Sequence, residues 1–390
     1  MLRSLKGLYH LLLAIAANVW YGFPSREITV IGVSGTDGKT TTTTLIYEIL
    51  KAAGYKTSVI TTVNAVIGGK TYDTGLHVTN PGPFAVQKYL RQAVDHGDTH
   101  FVMEVTSHGL AQHRVFGVRF AIGVLTNVTH EHLDWHRTFE HYLKTKLSLL
   151  TRAHIAVVNR DEAEVYNRAI PLLRRKTLVT YGIRREAKIT PESYPFTTQL
   201  MGEFNQYNCL AALSVAHILG IPKKIARETV ARFGGVVGRM QIVTSEPCTV
   251  IVDFAHTPNA IDRVLKTART IAKKRLIHVF GSAGLRDTTK RPLMGKASSA
   301  YADVIILTEE DYRTENVETI MDEIASGIEP GPQVYRLPTR QNAIDFAIKI
   351  AEPRDVVIIT GKGHEKSLAR GRREYPWSDQ EAVKKAIKQI

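Results

Sequence analysis

A chain of 390 residues, 44% hydrophobic and 23% charged, is long enough to bury two cores and too apolar to be disordered. Its two cysteines, Cys209 and Cys248, exclude a disulfide framework and a cysteine-built zinc site, and they suit a reducing, cytoplasmic setting. The formal charge of +14 is spread along the sequence with only short clusters (Lys273, Lys274 and Arg275; Arg372 and Arg373) and no RNA- or zinc-type motif, so it implies a basic surface suited to phosphorylated ligands and no nucleic-acid partner.

The first stretch, MLRSLKGLYHLLLAIAANVWYGF, sets Arg3 and Lys6 ahead of an apolar run, as a secretory signal does. From Leu8 to Trp20 it is too short and interrupted for a membrane span. The nucleotide site that follows argues against export. The stretch therefore predicts an amphipathic helix, packed on its domain or in weak contact with a membrane surface.

Residues 29–45, TVIGVSGTDGKTTTTTL, are the most informative segment. A β-branched run (Val30, Ile31, Val33) enters a glycine-spaced turn that ends in Gly38, Lys39 and Thr40 and opens into the helical pattern LIYEILKAAGY. Strand, glycine loop and helix in that order make a phosphate site. Glycine lets the backbone approach, the helix start offers free N–H groups, Lys39 brings a point charge and Thr40 a hydroxyl for Mg²⁺. The general P-loop pattern has glycine where this chain has Val33; here the glycines recur every third residue, at Gly32, Gly35 and Gly38.

Strand runs then alternate with helical ones. TVIGVS, KTSVITT, HFVMEVT, FAIGVLTNV and AHIAVVN predict strands, and TTTTLIYEILKAAG, PFAVQKYLRQAVDHG, FEHYLKTKLSLLT and QYNCLAALSVAHILG predict helices. After Gly234 and Gly235 a second alternation begins: strands CTVIVDFAH, LIHVFGS, DVIILTE and DVVIITG, with helices NAIDRVLKTARTIAK, ETIMDEIASGI and RQNAIDFAIKIAE between them. The expectation is a P-loop α/β domain with a mostly parallel sheet over residues 27–238, preceded by an extension of residues 1–26, and a Rossmann-like α/β domain over 239–390.

Glu104 closes the strand FVMEVTSHG, where a carboxylate faces the crevice at the carboxyl end of a parallel sheet and can share Mg²⁺ with Thr40. Behind the next strand, NVTHEHLDWH holds His130, His132 and His136; no cysteine is near, and a helper role beside Mg²⁺ fits better than zinc. Lys146, in HYLKTKLSLL, has by helical spacing alone the pattern of a solvated residue.

In their order, SGTDGKTTTT, MEVTSHGLAQHRV, TNVTHEHLDWH, YLKTKLSLL, GEFNQYNCLAAL, GRMQ, DFAHTPNA, LRDTTKRPLMG and GKGHE resemble the motifs of the Mur ligases, from about Ile28 to the C-terminus. The resemblance implies a monomeric ATP-dependent amide ligase of peptidoglycan synthesis. It would join an amino acid, meso-diaminopimelate or L-lysine, to a muramoyl-peptide precursor through an acyl phosphate, with two domains closing on a hinge to complete the site. It assigns Gly35, Thr36, Asp37, Gly38, Lys39, Thr40 and Thr41 with Asn127 to ATP, Asn208 to the neighbourhood of the adenine, and Arg239, Asp253 and His256 to the hinge and further ATP contacts. Thr40, Glu104, His132 and Lys146 become the Mg²⁺ set, Lys146 as a carbamate, and Lys39 joins them as a catalytic residue. Thr79, Asn80, Pro81, Thr106, Ser107 and Arg114 fall where the family grips the muramoyl peptide, and Arg286, Asp311, Arg313, Gly361 and Glu365 complete the substrate contacts.

Two departures stand out. The family has an N-terminal UDP-binding domain of roughly 100 residues, whereas 26 residues precede Glu27 here; a lipid-linked acceptor therefore competes with a UDP-linked one. Diaminopimelate-adding members carry Asp-Asn-Pro-Arg where this chain has Glu310, Asp311, Tyr312 and Arg313, which keeps the arginine that would pair with a carboxylate and leaves Glu365 for the distal ammonium. The metal and hinge motifs also suit a folylpolyglutamate-type ligase, and a nucleotide-binding scaffold without catalysis would keep the same glycine loop.

Overall fold

The computed structural model describes residues 2–72, 80–129 and 138–389, with side chains from residue 7 onward. The chain forms two compact units, Met1–Gly234 and Gly235–Ile390.

The first unit is built on an eight-stranded sheet with order β4-β3-β2-β5-β1-β6-β7-β8. Its strands are β1 (Thr29–Ser34), β2 (Thr57–Ile60), β3 (Ala65–Ile67), β4 (Lys70–Tyr72), β5 (His100–Glu104), β6 (Phe120–Leu125), β7 (Ile155–Asn159) and β8 (Thr177–Tyr181). The run from β2 to β8 is parallel, and the short β3 and β4 add an antiparallel edge. β1 is central and almost wholly buried, as expected of an apolar β-branched run in a parallel sheet with both faces covered. It pairs with β5 on one side and β6 on the other, and its register sets Val33 opposite Glu104. The loop after β1 and the carboxylate that closes β5 therefore share one edge of the sheet.

Helix Lys39–Ala52 carries Thr40, Thr41, Thr42 and Thr43 directly after Lys39, all four buried. β-Branched threonine is a weak helix former, and here tertiary packing against helix Glu203–Ile218 overrides propensity. The predicted N-terminal helix forms over Leu2–Trp20. Among the described residues no helix is long and apolar enough to cross a membrane.

The second unit has a six-stranded sheet, β13-β12-β11-β14-β10-β9, parallel except for β9 at the edge. Its strands are β9 (Gln241–Thr244), β10 (Thr249–Val252), β11 (Leu276–Phe280), β12 (Val304–Leu307), β13 (Gln333–Arg336) and β14 (Val356–Ile359), and a hairpin of β15 (Ser367–Arg370) and β16 (Arg373–Pro376) follows. Val250, Val252, Ile277, Val279, Ile306 and Ile359 are in its core, closed by helices Arg340–Ile350 and Asp379–Ile387.

Every predicted strand and helix is present, and the fold is the mixed α/β type expected. The structure adds elements that lack a periodic signal. β13 is exposed along its whole length, β3 and β4 have three residues each, and helix Ala163–Leu173 carries Pro171 inside it.

Arg340 is fully buried and holds the second unit together. Its Nε and Nη2 donate to the two Asp379 oxygens at 2.8 Å each, and Nη2 also donates to the Thr360 carbonyl at 2.8 Å. Removing one partner strands a charge in the core. Asp379→Ala is expected to cost about 3–5 kcal/mol in urea unfolding, whereas replacing both residues by apolar ones of similar volume costs far less. Equal losses for the two variants would contradict this.

Candidate active site

The loop after β1 is caged by three elements. Gly35 has φ 154°, and a Cβ there would lie 1.8 Å from Thr126 Oγ1 at the end of β6. Gly38 has φ 77°, and its Cβ would lie 2.1 Å from Asn208 Oδ1 on helix Glu203–Ile218. Only glycine fits either position. Thr36 N donates to the Asn127 carbonyl at 2.9 Å, Asp37 N to Asn127 Oδ1 at 2.9 Å, and Thr126 Oγ1 to the Asp37 carbonyl at 2.6 Å. The loop is thus preformed, with the start of helix Lys39–Ala52 beneath it. Lys39 Nζ folds back to the Thr36 carbonyl at 2.6 Å, which keeps its charge at the loop. The structure sets Asn208 against Gly38 and Thr42, with its Nδ2 donating to Asn205 Oδ1 at 2.9 Å. Thr41 is buried in the first turn of the helix.

Glu104 is buried, and its Oε2 accepts from Thr40 Oγ1 at 3.0 Å and from Thr62 N at 2.9 Å. A hydroxyl and a carboxylate converging beside a phosphate-type loop form a hard-oxygen pair of the kind Mg²⁺ prefers. Among the described residues no three His, Cys, Asp or Glu side chains gather at one point. Lys146 is not the solvated residue its spacing implied. It is buried on helix Phe139–Arg152, its Nζ donates to the Gly35 carbonyl at 2.5 Å, and it lies 4.6 Å from the centroid of Tyr142. Tyr142 Oη in turn meets Thr36 Oγ1 at 3.1 Å. His130, His132 and His136 lie outside the described residues.

Asn80, Thr106 and Arg114 form a second cluster on the same edge. Asn80 Nδ2 donates to the Glu104 carbonyl at 2.6 Å, and its Oδ1 accepts from Thr106 N at 2.8 Å and Thr106 Oγ1 at 2.9 Å. Arg114 Nη1 donates to the Asn80 carbonyl at 2.7 Å, and its burial pushes the guanidinium pKa down. Pro81 follows Asn80, and Ser107 is buried at the start of helix Ser107–Ala111; Thr79 lies outside the described residues.

The remaining candidates occupy the carboxyl edge of the second sheet. Asp253, after β10, accepts from Met240 N at 2.6 Å and Ala255 N at 2.7 Å. The Arg239 guanidinium lies 4.5 Å from the Phe254 ring centroid, and the His256 ring is 4.8 Å from the same ring. Arg313 has φ 53°, and its Nη1 donates to the Gly284 carbonyl at 2.9 Å; Arg286 is exposed. Asp311 and Glu365 are both engaged by Lys362, whose Nζ lies 2.8 Å from Asp311 Oδ1 and 2.5 Å from Glu365 Oε2. Any external ammonium at Glu365 has to compete with that internal one. Burial disfavours the Lys362 charge, but Glu365 and Asp311 outweigh it and raise its pKa.

Sequence reasoning passed over Lys362 and Glu310. Lys362 stands between two glycines after an apolar strand, where a lysine looks solvated, and Glu310 entered only as the first residue of the stretch compared with Asp-Asn-Pro-Arg. Its carboxyl is fully buried beside Gly361, and burial pushes its pKa up to about 7 against the pull of Lys290, Lys362 and Arg340. Nearby His364 is pushed down to about 3, by burial and then by the charge of Arg239.

A strand, glycine loop and helix with a buried hydroxyl–carboxylate pair, at the carboxyl edge of a parallel sheet, define a nucleotide-dependent α/β enzyme. Residues 33–216 match the family model of the Mur ligase middle domain, and residues 238–363 that of the Mur ligase, glutamate ligase domain. The chain belongs to the Mur ligase family, and it is an ATP-dependent ligase of that type. The UDP-N-acetylmuramoyl-L-alanyl-D-glutamate–2,6-diaminopimelate ligase of Aquifex aeolicus is 37% identical over 95% of this chain and 80% of its own length. The ligase of the same name from Clostridium botulinum is 35% identical over 97% of this chain and 82% of its own. A solved structure of a ligase with that name superposes with a TM-score of 0.64 at 30% identity, covering 93% of this chain and 78% of that one. Folylpolyglutamate synthase of Mycobacterium tuberculosis complexed with ADP shares the fold, with a TM-score of 0.72 at 20% identity over 90% of this chain and 91% of that one.

The raised pKa of Glu310 has a definite sign. The carboxyl ionises near its ordinary value of 4.5 when unfolded and at about 7 when folded, so its contribution to stability is complete below the first value and is lost as pH rises through the second. Urea midpoints at about pH 5 and about pH 8 are expected to fall more for the wild type than for Glu310→Gln. Both proteins share the opposite contributions of the buried histidines, so the difference isolates Glu310. Parallel profiles would contradict the assignment.

Proposed function

We propose that this ligase joins diaminopimelate to the terminal carboxylate of a muramoyl dipeptide in the cytoplasm, with ATP as energy source and Mg²⁺ at Thr40 and Glu104. The observation that carries the reading is the Thr40–Glu104 pair beneath the caged glycine loop, in a chain whose relatives at 35–37% identity over nearly its whole length are named diaminopimelate ligases. The chemistry needs an activated carboxylate. A substrate carboxylate oxygen attacks the γ-phosphorus, ADP leaves, and an acyl phosphate forms. The incoming amine then attacks the acyl carbon, and the tetrahedral intermediate expels phosphate.

Catalysis of such a transfer is positioning and charge neutralisation. Lys39 and the N–H groups at the start of its helix hold the phosphates, and Mg²⁺ when bound neutralises their charge. Lys146 fixes the loop through the Gly35 carbonyl. A carbamate on Lys146 retains one N–H, so that bond is compatible with the modification the family resemblance implies. Asn80, Thr106 and Arg114, tied to the end of β5, are the residues we assign to the muramoyl-peptide acceptor. Arg313 is assigned to the distal carboxylate of diaminopimelate, which lysine lacks.

ADP release measured with UDP- and lipid-linked muramoyl dipeptides, a pteroyl-glutamate acceptor, and diaminopimelate, lysine or glutamate as amine tests the reading. Diaminopimelate is expected to exceed lysine in kcat/KM, and Arg313→Ala to erase that preference through a KM for diaminopimelate raised roughly 30–100-fold, the worth of a charge-assisted pair. Preference for lysine, or turnover of the pteroyl acceptor with glutamate, would overturn it.

A further inference from the structure

The face of helix Leu2–Trp20 that turns away from its unit is apolar. Leu8, Leu12, Ile15 and Val19 fall at i, i+4, i+7 and i+11, a single stripe of a 3.6-residue helix, and Tyr9 and Trp20 flank it. These six side chains are between 44 and 78% exposed. The opposite face anchors the helix. Ala14, Ala17 and Asn18 are buried, and Asn18 Nδ2 donates to the Ala14 carbonyl at 2.7 Å and the Phe116 carbonyl at 2.9 Å. The patch continues onto Phe84, whose ring meets that of Tyr21 at 6.4 Å, and both Phe84 and Phe116 are exposed. Scattered apolar residues on a surface are ordinary, but a contiguous stripe on a helix already fixed by its other face marks an interaction surface.

Charge selects the occupant. Residues 1–26 contain Arg3, Lys6 and Arg26 and no aspartate or glutamate. A second copy of this chain, pairing through the same patch, would bring together two segments that each carry only positive formal charge. An anionic lipid surface satisfies both the stripe and the cations, and tyrosine and tryptophan are the side chains that settle at headgroup depth. The helix is not apolar enough to cross a bilayer.

We propose that helix Leu2–Trp20 is a docking element for an anionic bilayer, lying in the plane of the headgroups with Leu8, Leu12, Ile15, Val19 and Trp20 inserted. The proposal goes beyond the ligase reaction and stands without it.

The test is flotation of the full chain with phosphatidylglycerol–phosphatidylcholine vesicles and with phosphatidylcholine alone, beside light scattering without lipid. Two variants are compared, Leu12→Glu with Val19→Glu and Arg3→Glu with Lys6→Glu, each checked for an unchanged thermal midpoint. Wild type is expected to float with the anionic vesicles. The apolar pair is expected to lower that binding by about tenfold or more, and each reversed charge by at least roughly fivefold at low salt, without effect on phosphatidylcholine vesicles. Failure of the wild type to float, or equal flotation of the variants, would overturn the proposal. So would a dimer in light scattering that Leu12→Glu with Val19→Glu disperses while no form of the protein binds vesicles.

Discussion

The structure depends on the close approach of the glycine loop to the end of β6. Gly35 sits so near Thr126 that no side chain fits between them. That contact lets Thr126 and Asn127 hold the loop by its own backbone groups. Once the loop is there, the Gly35 carbonyl points at Lys146 and the Thr36 hydroxyl at Tyr142. The first turn of helix Lys39–Ala52 then delivers Thr40 to Glu104. Each of these contacts joins residues far apart in sequence, so the phosphate site is a property of the sheet edge as a whole. Its groups are oriented before any ligand arrives, which is where electrostatic catalysis gains most.

The second unit solves a different problem, that of keeping many charges out of water. Arg340 with Asp379, Lys362 with Asp311 and Glu365, and Arg291 with Glu315 and Glu323 are each closed by two or more short contacts. Such pairs add little net stability over apolar residues, yet they are costly to break, so they fix which loops meet at the carboxyl ends of β11, β12 and β14. Glu310 departs from this pattern: buried among cations, its Oε2 has no hydrogen-bond partner among the described residues, and its pKa is raised to about 7.

How much of this the sequence discloses follows from what local pattern can encode. The order strand, glycine loop and helix is local, and so is the placing of Glu104 at a strand end; both were legible from residue types and spacing. Lys146 was not, because helical periodicity shows it only as one polar residue on an amphipathic helix, and its burial is decided by where Gly35 lies, 111 positions away. Asn80 is similar: its tie to the Glu104 carbonyl spans 24 positions and leaves no periodic trace. The family resemblance supplied Lys146 and Asn80 where physics on the bare sequence did not. Lys362 escaped for another reason. A lysine between glycines looks solvated, and only the convergence of Asp311 and Glu365 shows why it is buried.

In the proposed reading Thr40 and Glu104, beneath the preformed loop, hold the metal that accompanies ATP. Calorimetric titration of ATP into the protein, with and without Mg²⁺, measures this directly. Mg²⁺ is expected to strengthen ATP binding to the wild type, and Glu104→Ala to abolish that Mg²⁺-dependent gain while metal-free ATP binding persists. A Glu104→Ala protein that keeps the full Mg²⁺ effect would contradict it.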